Sequence, residues 1–227
     1  MNLTITQRSL IERVINAAET GTPDGNYGAI SIYADGPHNI KQVTYGRAQT
    51  TEYGNLRKLV EMYVQTDGVY SKALLTYADK VGSIALTDND EFKSLLKIAG
   101  RQDPVMRKIQ DQFFEKVYFN PAMKWADDNG FTKALSALVI YDSQIHSGGI
   151  LWLLRQKFDE SPPSLGGDEK KWIREYIRVR HDWLTNHPRK VVQKSNYRTA
   201  AYIEQIRKEN WDLAIVPLKM NGIDVNP

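Results

Sequence analysis

Apolar positions recur at helical spacing over most of the chain. Ile5, Leu10, Ile11, Val14, Ile15 and Ala18 fall on one face, so the spacing predicts an amphipathic helix over 4–20. Thr4 followed by Gln7 makes a capping box at its start, and GTPDG (21–25) ends it by Gly and Pro chemistry. The pattern then changes. AISIY (29–33) and IKQVTYG (40–46) are short β-branched and aromatic runs around ADGPHN, which predicts two strands joined by a hairpin or loop. Helical spacing resumes in GNLRKLVEMYVQT (54–66). It continues through 70–82, 90–100, 104–117, 121–129, 131–145, a short piece near 150–158, 168–186 and 197–209. DESPPSLGGDE (159–169) reads as an internal surface loop. The expected architecture is mainly α with one small β element near the N-terminus.

Composition narrows the classes. A chain of 227 residues suits one large domain or two lobes. No apolar run approaches the roughly 20 residues that cross a bilayer, so no membrane partner is expected. Arg8, Glu12 and Arg13 interrupt the apolar pattern of the first twenty residues, which do not read as a signal peptide. With no cysteine, disulfides and thiolate catalysis are excluded. His38, His146, His181 and His187 show no metal-ligand spacing; His146, before SGG, reads as a cap or turn residue. No metal or cofactor is expected.

The net charge is +3, and the excess is local: residues 168–209 hold 11 Lys/Arg against 6 Asp/Glu. Trp172, Tyr176, Trp183, Tyr197 and Tyr202 interleave with them. Such a stretch suits an anionic polymer, nucleic acid, anionic lipid or sugar rings, or is simply a solvated helical face.

Two carboxylates stand out because their settings differ. Glu19 lies in the last turn of the first helix, where the helix's partial negative charge opposes an anion. A carboxyl there holds its proton to higher pH, more so if buried, as a general acid requires. Asp35 opens the Asp-Gly-Pro turn after the first strand. There it is solvated, able to stay ionised and to hold a water as general base. Viewed alone, each reads first as an ordinary residue, a solvated Glu at a helix end and an Asp in a turn. Together, acids whose environments push their pKa values apart are the working parts of a glycosidase.

The residues that carry these two also resemble a known family. AAET, Tyr27, Ile30, the Asp-Gly at 35–36 and VTYG are similar to the start of family-46 glycoside hydrolases, the chitosanases of the lysozyme superfamily. EKVYFNPAMKWADDNGFTKALSALVIYDSQIHSGG (115–149) and the later YIRVRHDWL, YRTAAYIEQIRKENWDL and VPL continue the likeness. The resemblance implies a lysozyme-like α+β fold over 1–227: a single domain of two helical lobes, with the β element lining a cleft. It implies an inverting endo-glycosidase with Glu19 as general acid and Asp35 as general base. Asp142, Arg180 and Arg198 are implied as an ion-pair network bracing the catalytic Glu. A buried Asp142 would indeed need such partners, and Arg binds carboxylates bidentately.

The chain also departs from the family. The family's Asp-Gly is followed by a short segment bearing a Thr that positions the water. Here PHNIKQV is about one residue longer and has no Thr in that place. Thr44 is the nearest hydroxyl; Gln42, Asn39 and His38 are the other candidates, with Tyr27 toward the substrate. The basic surplus favours peptidoglycan, with its anionic peptides, over polycationic chitosan. The absence of a signal-peptide pattern points the same way, toward an endolysin or a toxin delivered by lysis or a secretion machine, although a chain whose leader has been removed would look the same. The expected protein is thus a monomer acting outside the cytoplasm on cell-wall or external glycan, with chitosan as the alternative substrate. The rival readings are a noncatalytic glycan-binding or a nucleic-acid-binding helical protein. The second would explain the basic stretch but not the 19/35 pair, and no nucleic-acid partner is expected.

Overall fold

The computed structural model describes residues 1–47 and 49–227. In chain order the elements are α1 (Ile5–Thr20), β1 (Ile30–Tyr33), β2 (Gln42–Tyr45), β3 (Thr50–Thr51), α2 (Arg57–Val64), α3 (Ser71–Leu75), α4 (Asp90–Gln102) and α5 (Pro104–Phe114). They continue with α6 (Asn120–Asp128), α7 (Ala134–Ser147), α8 (Trp152–Arg155), α9 (Glu169–Thr185), α10 (Lys190–Gln193), α11 (Asn196–Arg207), β4 (Leu218–Met220) and β5 (Ile223–Val225). Glu52–Leu56 and Glu115–Phe119 are π-helical turns. The fold is mainly α, as the periodicity predicts. It forms two compact units: Met1–Pro23 with Val117–Pro227, and Asp24–Lys116.

In the first unit, α1 begins with the expected capping box: the Gln7 amide N–H donates to Thr4 Oγ1, and the Thr4 N–H to Gln7 Oε1. It ends at Gly21 in the left-handed conformation (φ 73°), which glycine adopts without a Cβ penalty. α7 is buried on nearly every side from Ala134 to Ser143, so it shows little amphipathicity. α9 turns Trp172, Ile173, Tyr176, Ile177 and Arg180 inward, and α11 turns Arg198, Thr199 and Tyr202 inward. Trp172 packs between Phe131, Phe158 and Tyr176.

In the second unit, β1, β2 and β3 form an antiparallel sheet, with Ile30 opposite Tyr45, Tyr33 opposite Gln42, and Thr44 opposite Thr51. All four residues of β2 are buried. Val43, Tyr45, Leu59, Val60, Phe92, Leu96, Met106 and Phe113 are among the unit's buried apolar residues.

Several elements differ from expectation. The helix expected over 70–82 is one short turn, Ser71–Leu75, and the one expected from 54 starts as a π turn. β3, α10 and the β4–β5 hairpin were not expected. That hairpin turns through Asn221 and Gly222, both with positive φ. Asn-Gly is the strongest two-residue hairpin signal.

Candidate active site

Four helices of the first unit each contribute one charged side chain to a continuous cluster. Glu19 comes from the end of α1, Asp142 from α7, Arg180 from α9 and Arg198 from α11. Arg198 Nη2 donates to Glu19 Oε1 at 2.5 Å, and Arg198 Nη1 to Asp142 Oδ1 at 2.6 Å. On the other side of Asp142, Arg180 Nη1 stands 2.7 Å from Oδ2. Asp142 and Arg180 are fully enclosed, whereas the Glu19 side chain remains 12% exposed. Buried charges persist only when paired, and here two cations face two carboxyls.

The end of α1 is itself tied down. The Gly21 N–H closes on Ala17 O, Thr20 Oγ1 donates to Asn16 O, and Tyr197 Oη donates to Ala18 O at 2.7 Å. Tyr197 therefore satisfies a terminal carbonyl next to Glu19, while its neighbour Arg198 holds the carboxyl.

The electrostatics divide the two acids of this cluster. Burial pushes the Glu19 carboxyl above its ordinary pKa, and Arg198 opposes without cancelling it. Burial acts on Asp142 in the same direction, but Arg180 and Arg198 together outweigh it and hold Asp142 well below the carboxylate range. His146, in the last turn of α7, is pushed down to about 3 by burial and by the same two arginines, so it stays neutral. Its Nδ1 lies 3.2 Å from Ser147 Oγ. Tyr202 is enclosed beside Asp142, and its hydroxyl is held protonated by burial and by that negative charge.

In the second unit, Asp35 is exposed at the end of β1. Gln42 Nε2 donates to Asp35 Oδ1 at 2.9 Å, and Gln42 Oε1 accepts from the Tyr53 N–H at 3.1 Å. Gly36 packs against the Tyr53 ring and Ile40 O, where a Cβ would stand 3.1 and 2.8 Å away. His38 and Asn39 sit at the exposed tip with left-handed backbone, φ 53° and 61°. Thr44 is buried within the sheet: its Oγ1 donates to Ser31 O at 3.0 Å and lies 3.2 Å from Gln49 Oε1. Tyr27 Oη donates to Asp111 Oδ1 at 2.9 Å.

The roles of three residues, Tyr197, Glu52 and Tyr53, escaped the sequence reading. Tyr197 adjoins Arg198 in NYR, yet only the fold brings it to Ala18. Glu52 is buried, accepting from Val43 N at 2.9 Å and Leu86 N at 2.8 Å, and so fixes the π turn that carries Tyr53. In TTEYGN, Glu52 and Tyr53 fall between the second expected strand and the helix expected from Gly54, where no periodicity marks them.

Acid–base glycoside hydrolysis uses one carboxyl that holds its proton and another that stays ionised. Residues 13–218 match the model of glycosyl hydrolase family 46, and the chain belongs to that family of glycoside hydrolases. It is 29% identical over 222 residues to a chitosanase of Bacillus subtilis (strain 168), covering 90% of this chain and 78% of that one. Among solved structures it superposes on the native chitosanase of Bacillus subtilis MY002 with a TM-score of 0.84. That pair is 25% identical, over 99% of this chain and 98% of the other. A mutant of the MY002 chitosanase complexed with 6 GlcN gives the same TM-score at 27% identity, over 100% of both chains.

Proposed function

We propose that the protein is a chitosanase that cleaves β-1,4 bonds within chitosan by general acid–base catalysis with inversion. The observation that carries this reading is Glu19: a carboxyl at a helix end, nearly enclosed, whose proton affinity is raised by burial despite a bound arginine. The chitosanases among the relatives support chitosan over the peptidoglycan that the net charge suggested. The charge argument also weakens once it is localised. Residues 24–116 contain twelve acidic and twelve basic side chains, so the unit that bears Asp35 carries no cationic surplus against glucosamine ammonium groups.

In this reading Glu19, protonated, gives its proton to the departing glycosidic oxygen. Asp35 takes a proton from the water that attacks the anomeric carbon from the opposite face, so a β-linkage releases an α-product first. Asp142, Arg180 and Tyr197 act through Arg198 and the α1 terminus, holding Glu19 in place rather than touching the sugar. The chain works as a single monomeric domain on glycan outside the cell. One protein sample tests the substrate and the stereochemistry together: viscosity of chitosan, turbidity of purified peptidoglycan, and proton NMR of the fresh product. The expected result is falling viscosity, undiminished turbidity and α-anomer first. Peptidoglycan clearing with inert chitosan would reverse the substrate, and β-anomer first would refute inversion.

A further inference from the structure

We infer that Gln42 is a positioning residue that fixes the Asp35 carboxylate, rather than a group that holds the attacking water. The inference rests on Asp35 being the general base. An exposed aspartate on a turn has free rotation about two side-chain bonds, so its lone pairs sweep a wide arc unless something fixes them. Gln42 is suited to do so. It is buried on β2, opposite Tyr33, two residues before Asp35.

The direction of the Gln42 amide is set by its other end. The Tyr53 N–H can only donate, so the atom facing it at 3.1 Å must be the carbonyl Oε1. The NH₂ group is therefore the end that Asp35 sees, and it donates to Oδ1 at 2.9 Å. An acceptor is placed where it must meet a donor, leaving Oδ2 for the water. Tyr53 is itself held: its ring lies against Gly36 in the Asp35 turn, and the preceding Glu52 is clamped between two backbone N–H groups. Asp35 thus connects through one amide to the buried part of its unit. Thr44, the nearest hydroxyl on the same strand, is committed to Ser31 and Gln49 instead.

The test is a double-mutant cycle on chitosan hydrolysis, with melting temperatures measured for every variant. Gln42→Leu should lower kcat about 10–100-fold, as misplacement of a reacting group does, with KM within about twofold. Gln42→Glu keeps an acceptor for the Tyr53 N–H but sets a second carboxyl against Asp35, so that the two share one proton and Asp35 is no longer a free base. It should lower kcat at least as much and move the acid limb of the pH–kcat profile upward, a readout that a merely structural role would not shift. In the Asp35→Asn background, Gln42→Leu should cost less than about twofold, because the carboxylate it served is gone. Equal losses in both backgrounds, or wild-type kcat in Gln42→Glu, would overturn the inference while leaving Asp35 as base. Wild-type kcat in Asp35→Asn would instead remove the base itself, and this inference with it.

Discussion

Glu19 and Asp35 are both carboxylic acids, yet they sit in opposite surroundings. Glu19 is nearly enclosed, joined to Arg198, and backed by a second acid and a second arginine from three further helices. Asp35 is exposed on a hairpin, where the Gln42 side-chain amide donates to its carboxylate. The difference teaches that protonation state is built by surroundings rather than residue type. To keep an acid protonated, a fold must exclude water from it, and the counter-charges that prevent collapse of the buried cluster must not neutralise the effect. Arg198 meets both demands because it is shared: its pull is divided between Glu19 and the strongly ionised Asp142.

The largest effect should come from removing either end of the comparison. Glu19→Gln and Asp35→Asn should each lower kcat on chitosan by about 10²–10⁴-fold. They should differ in stability. Because the folded state raises the Glu19 pKa, it favours the protonated form; that contribution is complete below the ordinary carboxylate range and is lost as pH rises through the raised value. The melting temperature of Glu19→Gln should therefore gain on the wild type as pH rises from 4 to 8. For the same reason, the basic limb of the wild-type pH–kcat profile should fall above the ordinary glutamate range. A Glu19→Gln variant that loses ground with rising pH would show that the ion pair outweighs burial.

The next effect tests the brace. Asp142→Ala leaves Arg180 and one arm of Arg198 buried without a counter-charge, at about 3–5 kcal/mol. For a chain of this length that is a fall of about 6–20 °C in melting temperature. The sign with pH is opposite to that of Glu19: the Asp142 pKa is depressed, so its stabilisation holds above the ordinary aspartate range and is lost as pH falls. Calorimetry at pH 7 and pH 3 measures both, and an unchanged melting temperature at pH 7 would contradict the enclosed cluster.

Much of the Glu19 side was legible in the sequence, and less of the Asp35 side. The helices of the first unit announce themselves by capping and period, and an acid at the end of an apolar helix demands a partner by physics alone. The charge reading misled because it counted residues without their partners. Of the eleven cations in 168–209, Arg180 and Arg198 are buried in the cluster. Lys170, Lys171, Arg174, Arg207 and Lys208 pair with Glu209, Glu160 or Glu204. The second unit was harder because its governing contacts are short-strand and loop contacts without a period. β3 is two residues long, and the amide link from Asp35 to Tyr53 depends on a hairpin register. The β4–β5 hairpin was readable at Asn221-Gly222, but its strands are too short to show alternation.

The smallest predicted effect decides what Thr44 does. Its hydroxyl donates into the sheet at Ser31 O, and its side chain is buried. Thr44→Val keeps the β-branched shape and removes that donor, leaving Ser31 O to find water at the sheet surface. The loss should be that of one neutral hydrogen bond, about 0.5–1.5 kcal/mol. At this chain length the melting temperature should drop by about 1–6 °C. If the hydroxyl serves only the sheet, kcat and KM on chitosan should both stay within about twofold of the wild type, while Gln42→Glu in the same assay loses at least tenfold. A kcat loss in Thr44→Val as large as that in Gln42→Glu, at an unchanged melting temperature, would move the water-positioning role onto the threonine. The hairpin would then serve catalysis through its hydroxyl as well as through the fixed Asp35.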